Sequence, residues 1–211
     1  MTESSKYVWY ASYGSNLLYE RFMCYIKGGK PTGSHRLYKG CRNKNLPIFD
    51  EALSINRQLY FAKSSSTWDD GGVCFLNTKT DIKEETLARM YLVTEEQFCD
   101  IVQQENSQEE ILSIDFEQTR KHGELIINEA AWYGNIIHLG DKNGHPIFTF
   151  NHVSNMMDEF NPPSDAYLLT IIRGLKETYD IDSTKVFDYL KDKIGLSENI
   201  ERLNRLCSAE S

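Results

Sequence analysis

The chain has 211 residues, 12% of them aromatic, a length and composition that predict a globular domain with a substantial core rather than a disordered segment. Its formal net charge of −8 argues against a nucleic-acid partner, which would select a basic face. Five cysteines (Cys24, Cys41, Cys74, Cys99, Cys207) without a CxxC pair, an N-terminus lacking an apolar signal segment, and no run near the roughly 20 apolar residues of a membrane span predict a cytoplasmic protein with neither disulfide scaffold nor structural zinc.

Lys6 to Ala11 reads as a strand, because Tyr7, Val8, Trp9 and Tyr10 are β-branched or aromatic and no turn residue interrupts them. Leu18, Phe22, Tyr25 and Ile26 then recur at the spacing of an amphipathic helix. Only Ser12-Tyr13-Gly14-Ser15-Asn16 lies between, a strand-to-helix corner in which Gly14 is expected at positive φ and Ser15 as the helix cap. The unsatisfied N–H groups of such a helix start favour a carboxylate or phosphate. By its residues alone, the corner reads first as a plain connecting turn.

Lys27 to Ser34 is turn-rich, Arg36 to Cys41 suggests a short strand, and residues 42–56 read as irregular or as a lid over one end of the fold. Gln58 to Ala62 reads as a strand and Ser64 to Gly72 as a polar loop. Val73 to Leu76 and Leu87 to Val93 are two further strands around the charged turn Asp81 to Glu85. Thr94 opens a helix with Gln97 three residues on, the sequence form of a capping box. Residues 106–124 are polar and carry no clear element. Glu129 to Leu139 and Pro146 to Asn151 flank a stretch whose Asn143-Gly144 is a hairpin signal. Pro162-Pro163-Ser164 starts a helix through Tyr179, with Leu168, Ile171, Ile172, Leu175 and Tyr179 on one face, and a last helical segment runs from Thr184 to Leu206. Strands first and helices last predict an α+β fold: a small mixed, mostly antiparallel, β-barrel-like sheet flanked by helices. The domain is expected over residues 1–180, with 181–211 a C-terminal helical extension packed on it.

One carboxylate is out of place. In the helix opened by Thr94, Phe98, Ile101 and Val102 define the buried stripe, and Glu105 falls on the same stripe in the last turn. There it either reaches solvent past the helix end or sits in a pocket, where desolvation and the negative helix end raise its pKa and make it a proton acceptor near neutral pH. The histidines are scattered; His138 and His145 flank the hairpin turn, but no third ligand has metal-site spacing. Ser15 has no motif naming a partner histidine, and Cys99 reads as a packing residue.

Tyr13-Gly14-Ser15-Asn16-Leu17 resembles the YGSNL signature of the γ-glutamylcyclotransferase-like family. Ile101-Val102-Gln103-Gln104-Glu105 falls on the family's hydrophobic-x-x-Glu pattern, with Asn106 where the family has glycine. Trp68 to Val73 looks like its Trp–Gly-Gly segment, and Pro162 to Tyr167 like the proline-led start of its penultimate helix. The resemblance covers roughly residues 7 to 180. It implies that Tyr10, Ala11, Ser12, Tyr13, Gly14, Ser15, Asn16 and Leu17 hold a γ-glutamyl group, and that Glu105 is the general base of an intramolecular aminolysis releasing 5-oxoproline and an amine. It implies a small-molecule substrate, no cofactor, no metal, no nucleic acid and no membrane partner; monomer and homodimer both stay open. Asn106, the longer segment after Glu105 and the extra C-terminal helices also fit a non-catalytic binding protein that retains the pocket. A third reading is an enzyme that removes a γ-glutamyl group from a specialised amine. Segments 42–56 and 106–124 are the expected determinants of the leaving amine.

Overall fold

The computed structural model describes residues 6–32, 36–196 and 198–210. Among them are eight strands, β1 Tyr7–Ser12, β2 Asp50–Ile55, β3 Leu59–Ser65, β4 Gly71–Leu76, β5 Thr86–Thr94, β6 Glu124–Ile126, β7 Asn135–Lys142 and β8 His145–Asn151. Six α-helices accompany them: α1 Tyr19–Lys27, α2 Glu95–Glu105, α3 Phe116–His122, α4 Asp165–Tyr179, α5 Ser183–Leu190 and α6 Ile200–Ala209. The fold is the expected α+β class, with a six-stranded sheet ordered β2-β5-β1-β8-β7-β6 and a separate β3-β4 hairpin.

β1 lies inside the sheet. It pairs antiparallel with β5 over its whole length, Tyr7 opposite Thr94 through Ser12 opposite Arg89. On its other edge it runs parallel to β8, with Trp9 opposite Ile147 and Tyr10 opposite Phe148. Both faces of this strand are covered, which is why it reads as an unbroken apolar run rather than an alternation. Val8 and Tyr10 pack with α1, α2 and α3 residues such as Phe22, Phe98 and Phe116. Trp9 and Ala11 pack on the other face with Met90, Leu92 and Ile147. A further core joins the β3-β4 hairpin to α4, α5 and α6 through Phe61, Phe75, Leu168, Ile172, Leu190 and Leu203.

α2 has the expected bounds. The Thr94 hydroxyl accepts from Gln97 N at 3.1 Å while the Gln97 side chain accepts from Thr94 N at 3.0 Å, so two orphan donors are satisfied reciprocally. The Asn143-Gly144 turn is also as expected, both residues having positive φ of 52° and 82°.

Other segments differ. Residues 50–55 form edge strand β2, not irregular chain; only Ile55 of its inward residues is fully buried, so its alternation is faint. Residues 36–41 contribute a single bridge, Tyr38 to Gly29, rather than a strand. Ser64 and Ser65 belong to β3, shortening the expected polar loop. β7 starts at Asn135, the preceding residues turning instead of extending. α3, capped by the Asp115 side chain, and β6 arise within or beside a stretch too polar to signal them. The single final helix is two, α5 and α6; between them Ile194 bridges Tyr60, and the Asn199 side chain caps α6. Gly33 and Ser34, part of the expected turn-rich segment, lie outside the described residues.

Because α2 carries Glu105 at its far end, its cap can be weakened without touching the cavity. Thr94→Ala is expected to cost about 1 kcal/mol, read as a lower denaturant midpoint at unchanged slope.

Candidate functional site

A cavity of about 510 Å³ opens where the end of β1, the start of α1, the end of α2, the β3-β4 hairpin and the start of α4 converge. The corner after β1 folds differently from expectation. Ser15–Leu17 forms one turn of 3-10 helix, closed by Leu17 N donating to Gly14 O at 3.0 Å, and α1 then starts from Leu18 with no side-chain cap. Ser15 is therefore not the cap of α1, and Gly14 has φ −121°, outside the left-handed region. Glycine is required there for space: a Cβ would lie 2.9 Å from the Tyr167 hydroxyl.

Of the residues expected to hold substrate, Tyr10, Ser12, Tyr13, Gly14, Ser15 and Asn16 line the cavity. Ala11 and Leu17 do not. Ala11 is fully buried, its carbonyl accepting from Thr149 Oγ1, and the buried Leu17 packs in the core with its carbonyl accepting from Arg89. Tyr13 is pinned by its hydroxyl, which donates to Phe150 O at 2.8 Å and lies 3.2 Å from Asn151 Oδ1. Asn151 is itself fully buried and clasps the end of β4, accepting from Leu76 N at 3.0 Å and donating to Leu76 O at 2.7 Å. One side chain thus holds β8, β4 and the corner together.

Glu105 enters the cavity from the last turn of α2. It keeps some surface toward the cavity and is otherwise surrounded by protein. Burial pushes its pKa up, opposed by the Arg21 charge, by hydrogen bonding from Tyr25 and Asn16, and by the Arg36 charge. Asn16 Nδ2 reaches both Glu105 Oε1 at 3.3 Å and the Tyr10 hydroxyl at 3.2 Å, so the corner and the carboxylate meet directly. Asn106 has φ −88°, and the positive φ of the turn is taken by Ser107 instead. The Asn106 side chain has its own work: it donates to Val102 O and Tyr133 O, and accepts from Tyr133 N at 3.2 Å, docking the segment before β7 onto the end of α2.

The remaining wall is aromatic and protonated. Burial pushes up the hydroxyl pKa values of Tyr10, Tyr13, Tyr25, Tyr133 and Tyr167, so all are proton donors at neutral pH. It also pushes the Cys74 thiol up to about 12, which leaves it un-ionised and weakly nucleophilic. Tyr167 accepts from Cys74 N at 3.2 Å, and Trp68 stands 4.9 Å from its ring. Gly72, beside Trp68, donates its N–H to Pro162 O at 2.9 Å and would drive a Cβ to 1.9 Å from Asn161 O; the Trp–Gly-Gly and Pro-Pro-Ser segments therefore serve one contact.

Arg21, Tyr25, Tyr38, Tyr133 and Tyr167 also line the cavity and were not singled out from sequence. Arg21 and Tyr25 carried a usable signal, lying four apart on one helix face directly after the motif. Tyr167 closes the Pro162–Tyr167 segment that resembles the family's, whereas Tyr133 carried no signal, since only long-range packing brings it in. Residues 42–56 do not reach the cavity; Asn106 and Ser107 from 106–124 do, along with Ser64 to Thr67. His138 faces Asp141 at 3.1 Å and His145 the Tyr7 carbonyl at 3.2 Å. Among the described residues, no three His, Cys, Asp or Glu side chains gather as a metal site, and no helix is long and apolar enough to cross a membrane.

The fit of Gly14 under Tyr167 is testable. Gly14→Ala is expected to destabilise by about 1–3 kcal/mol through overpacking. Tyr167→Phe, which removes the clashing oxygen, is expected to recover part of that loss in the double variant, measured by denaturant unfolding.

No family model matches the chain. It is 34% identical over 189 residues, 81% of its length, to histone deacetylase 5 of Arabidopsis thaliana, and spans 28% of that protein. A solved γ-glutamyl cyclotransferase superposes with TM-score 0.51 at 19% identity, covering 95% of this chain and 99% of its own. An uncharacterised protein from Homo sapiens superposes with TM-score 0.50 at 20% identity, with the same coverage. The chain has the γ-glutamylcyclotransferase fold.

Proposed function

We propose that the protein is a γ-glutamyl cyclotransferase, releasing 5-oxoproline and a free amine from a γ-glutamyl compound. The observation that supports this most is the setting of Glu105: a carboxylate on a cavity wall, its pKa raised by burial, one Asn16 hydrogen bond from the Tyr13–Leu17 corner.

The reaction needs one base and a grip that bends the substrate onto itself. Glu105 takes a proton from the α-ammonium, and the freed amine attacks the γ-carbonyl carbon of the same molecule. The C–N bond to the leaving amine then breaks as Glu105 returns the proton to that amine, and the carboxylate so regenerated takes the second proton from the ring nitrogen, leaving the single N–H of the lactam. Nucleophile and electrophile share one molecule, so holding the near-attack geometry supplies much of the rate. The N–H groups of Ser15 and Asn16 precede the first hydrogen bond of the 3-10 turn. These donors suit the α-carboxylate and the oxyanion that develops on the γ-carbonyl. The hydroxyls of Ser64, Ser65, Ser66 and Thr67 give the outer cavity a polar lining for the leaving amine.

Purified protein incubated with chelator and a panel of γ-glutamyl amino acids, γ-glutamyl amines and glutathione is expected to form 5-oxoproline by mass spectrometry. Glu105→Gln is expected to keep the fold and lose turnover. Full activity in that variant, or no product from any substrate with the fold intact, would overturn the reading; ligand binding without turnover would favour a pocket kept for binding alone. A second readout follows from linkage. Because burial raises the Glu105 pKa, its charge costs stability at neutral pH, and the cost shrinks as pH falls below the folded-state pKa and is gone below the unfolded-state one. Glu105→Gln should therefore melt no lower than wild type at pH 7, and the gap should close on acidification.

A further inference from the structure

We propose that Arg21 is a positioning residue for this reaction: a caged guanidinium that acts through Glu105, fixing it as the carboxylate. The proposal rests on the cyclotransferase reading for its rate consequences.

Arg21 is 3% exposed. Its guanidinium carbon lies 4.9 Å from the Tyr25 ring, 4.6 Å from Tyr38 and 5.6 Å from Trp68. Nη2 donates to the Tyr38 hydroxyl at 2.6 Å. Nε and Nη1 are buried and have no hydrogen-bond partner, and no carboxylate among the described residues is within ion-pairing distance of Arg21. A cation placed in this way is costly unless something compensates it. The three rings supply part of that compensation. The acidic side chain that shares the cavity wall with it is Glu105.

The two are linked through hydroxyls rather than by contact. Arg21 bonds Tyr38, the Tyr38 and Tyr25 hydroxyls are 3.4 Å apart, and Tyr25 shares the cavity wall with Glu105 and holds its pKa down. With Nε and Nη1 sealed from solvent, the guanidinium works by its field across a low-dielectric wall. The groups facing Glu105 are few in kind. Arg21 from α1 and Arg36 from the segment before Tyr38 are charged, and Arg21 has the larger influence. Tyr10, Tyr13, Tyr25, Tyr133, Tyr167 and Cys74 are all held neutral by burial. Removing Arg21 therefore leaves a buried carboxylate whose main counter-charge is gone, and its proton should be harder to remove.

The test compares wild type, R21M and R21K in kcat/KM against pH. In R21M the acid limb is expected to move up by about one pH unit, a tenfold loss of kcat/KM at a fixed pH below both limbs. R21K keeps the charge and should hold the limb near its wild-type place. Loss of rate at every pH with the limb unmoved would mean Arg21 only packs, and would overturn the proposal. A melting cycle at pH 8 with R21M, E105Q and the double variant gives a readout independent of turnover. Arg21→Met should lower the melting temperature more when residue 105 is glutamate than when E105Q is present, and equal shifts would overturn the coupling. If wild type turns over nothing, the cyclotransferase reading falls, and the melting cycle alone decides whether Arg21 holds the charge of Glu105.

Discussion

The site depends on the last residues of β1 being gripped from both sides. Antiparallel pairing with β5 sets the strand from one edge and parallel pairing with β8 from the other. The corner that follows has little freedom left. Its Tyr13 hydroxyl is tied to the end of β8, and Asn151 extends that tie to the end of β4. Gly14 can then slip beneath Tyr167, and Asn16 can stand within reach of Glu105. A corner held by hairpin-like connections alone would lack the β8 side of this clamp, because a parallel neighbour needs a long crossover.

Around that clamp the protein assembles an environment unfavourable to a carboxylate and then partly relieves it. Tyrosines and a thiol that all stay protonated surround Glu105, and burial raises its affinity for a proton. Arg21 and Arg36 work the other way. Burial and the two guanidinium charges thus pull the Glu105 pKa in opposite directions, with burial the larger influence.

Much of this was legible in the residues. The β1 run, the Thr94 capping box and the bounds of α2 follow from propensity and cap chemistry, and Glu105 declared itself by breaking an apolar stripe. Elements whose formation depends on distant partners were not legible. β2 is an edge strand with one fully buried residue, and α3 is seven residues with two, so neither carries enough periodicity to stand above noise. Gly14 was misread in a specific way: a glycine at a corner suggests positive φ, whereas here it answers to the hydroxyl of a residue more than a hundred positions away. Asn106 likewise reads as a substitute in a turn but serves as a clasp on Tyr133. Tyr133 completes the wall without any local pattern announcing it.

The clasp between Tyr13 and the end of β8 spans 137 positions in the chain. Loop-closure entropy must be met before such a contact gives anything back, and folds rich in non-local pairing assemble slowly for that reason. The cavity walls come from both partners of this clasp and from α4 beyond it. During synthesis, then, the Ser12–Asn16 corner leaves the ribosome long before Phe150 and Tyr167, which complete the cavity around it. The cavity is complete only once β8 and α4 are both in place.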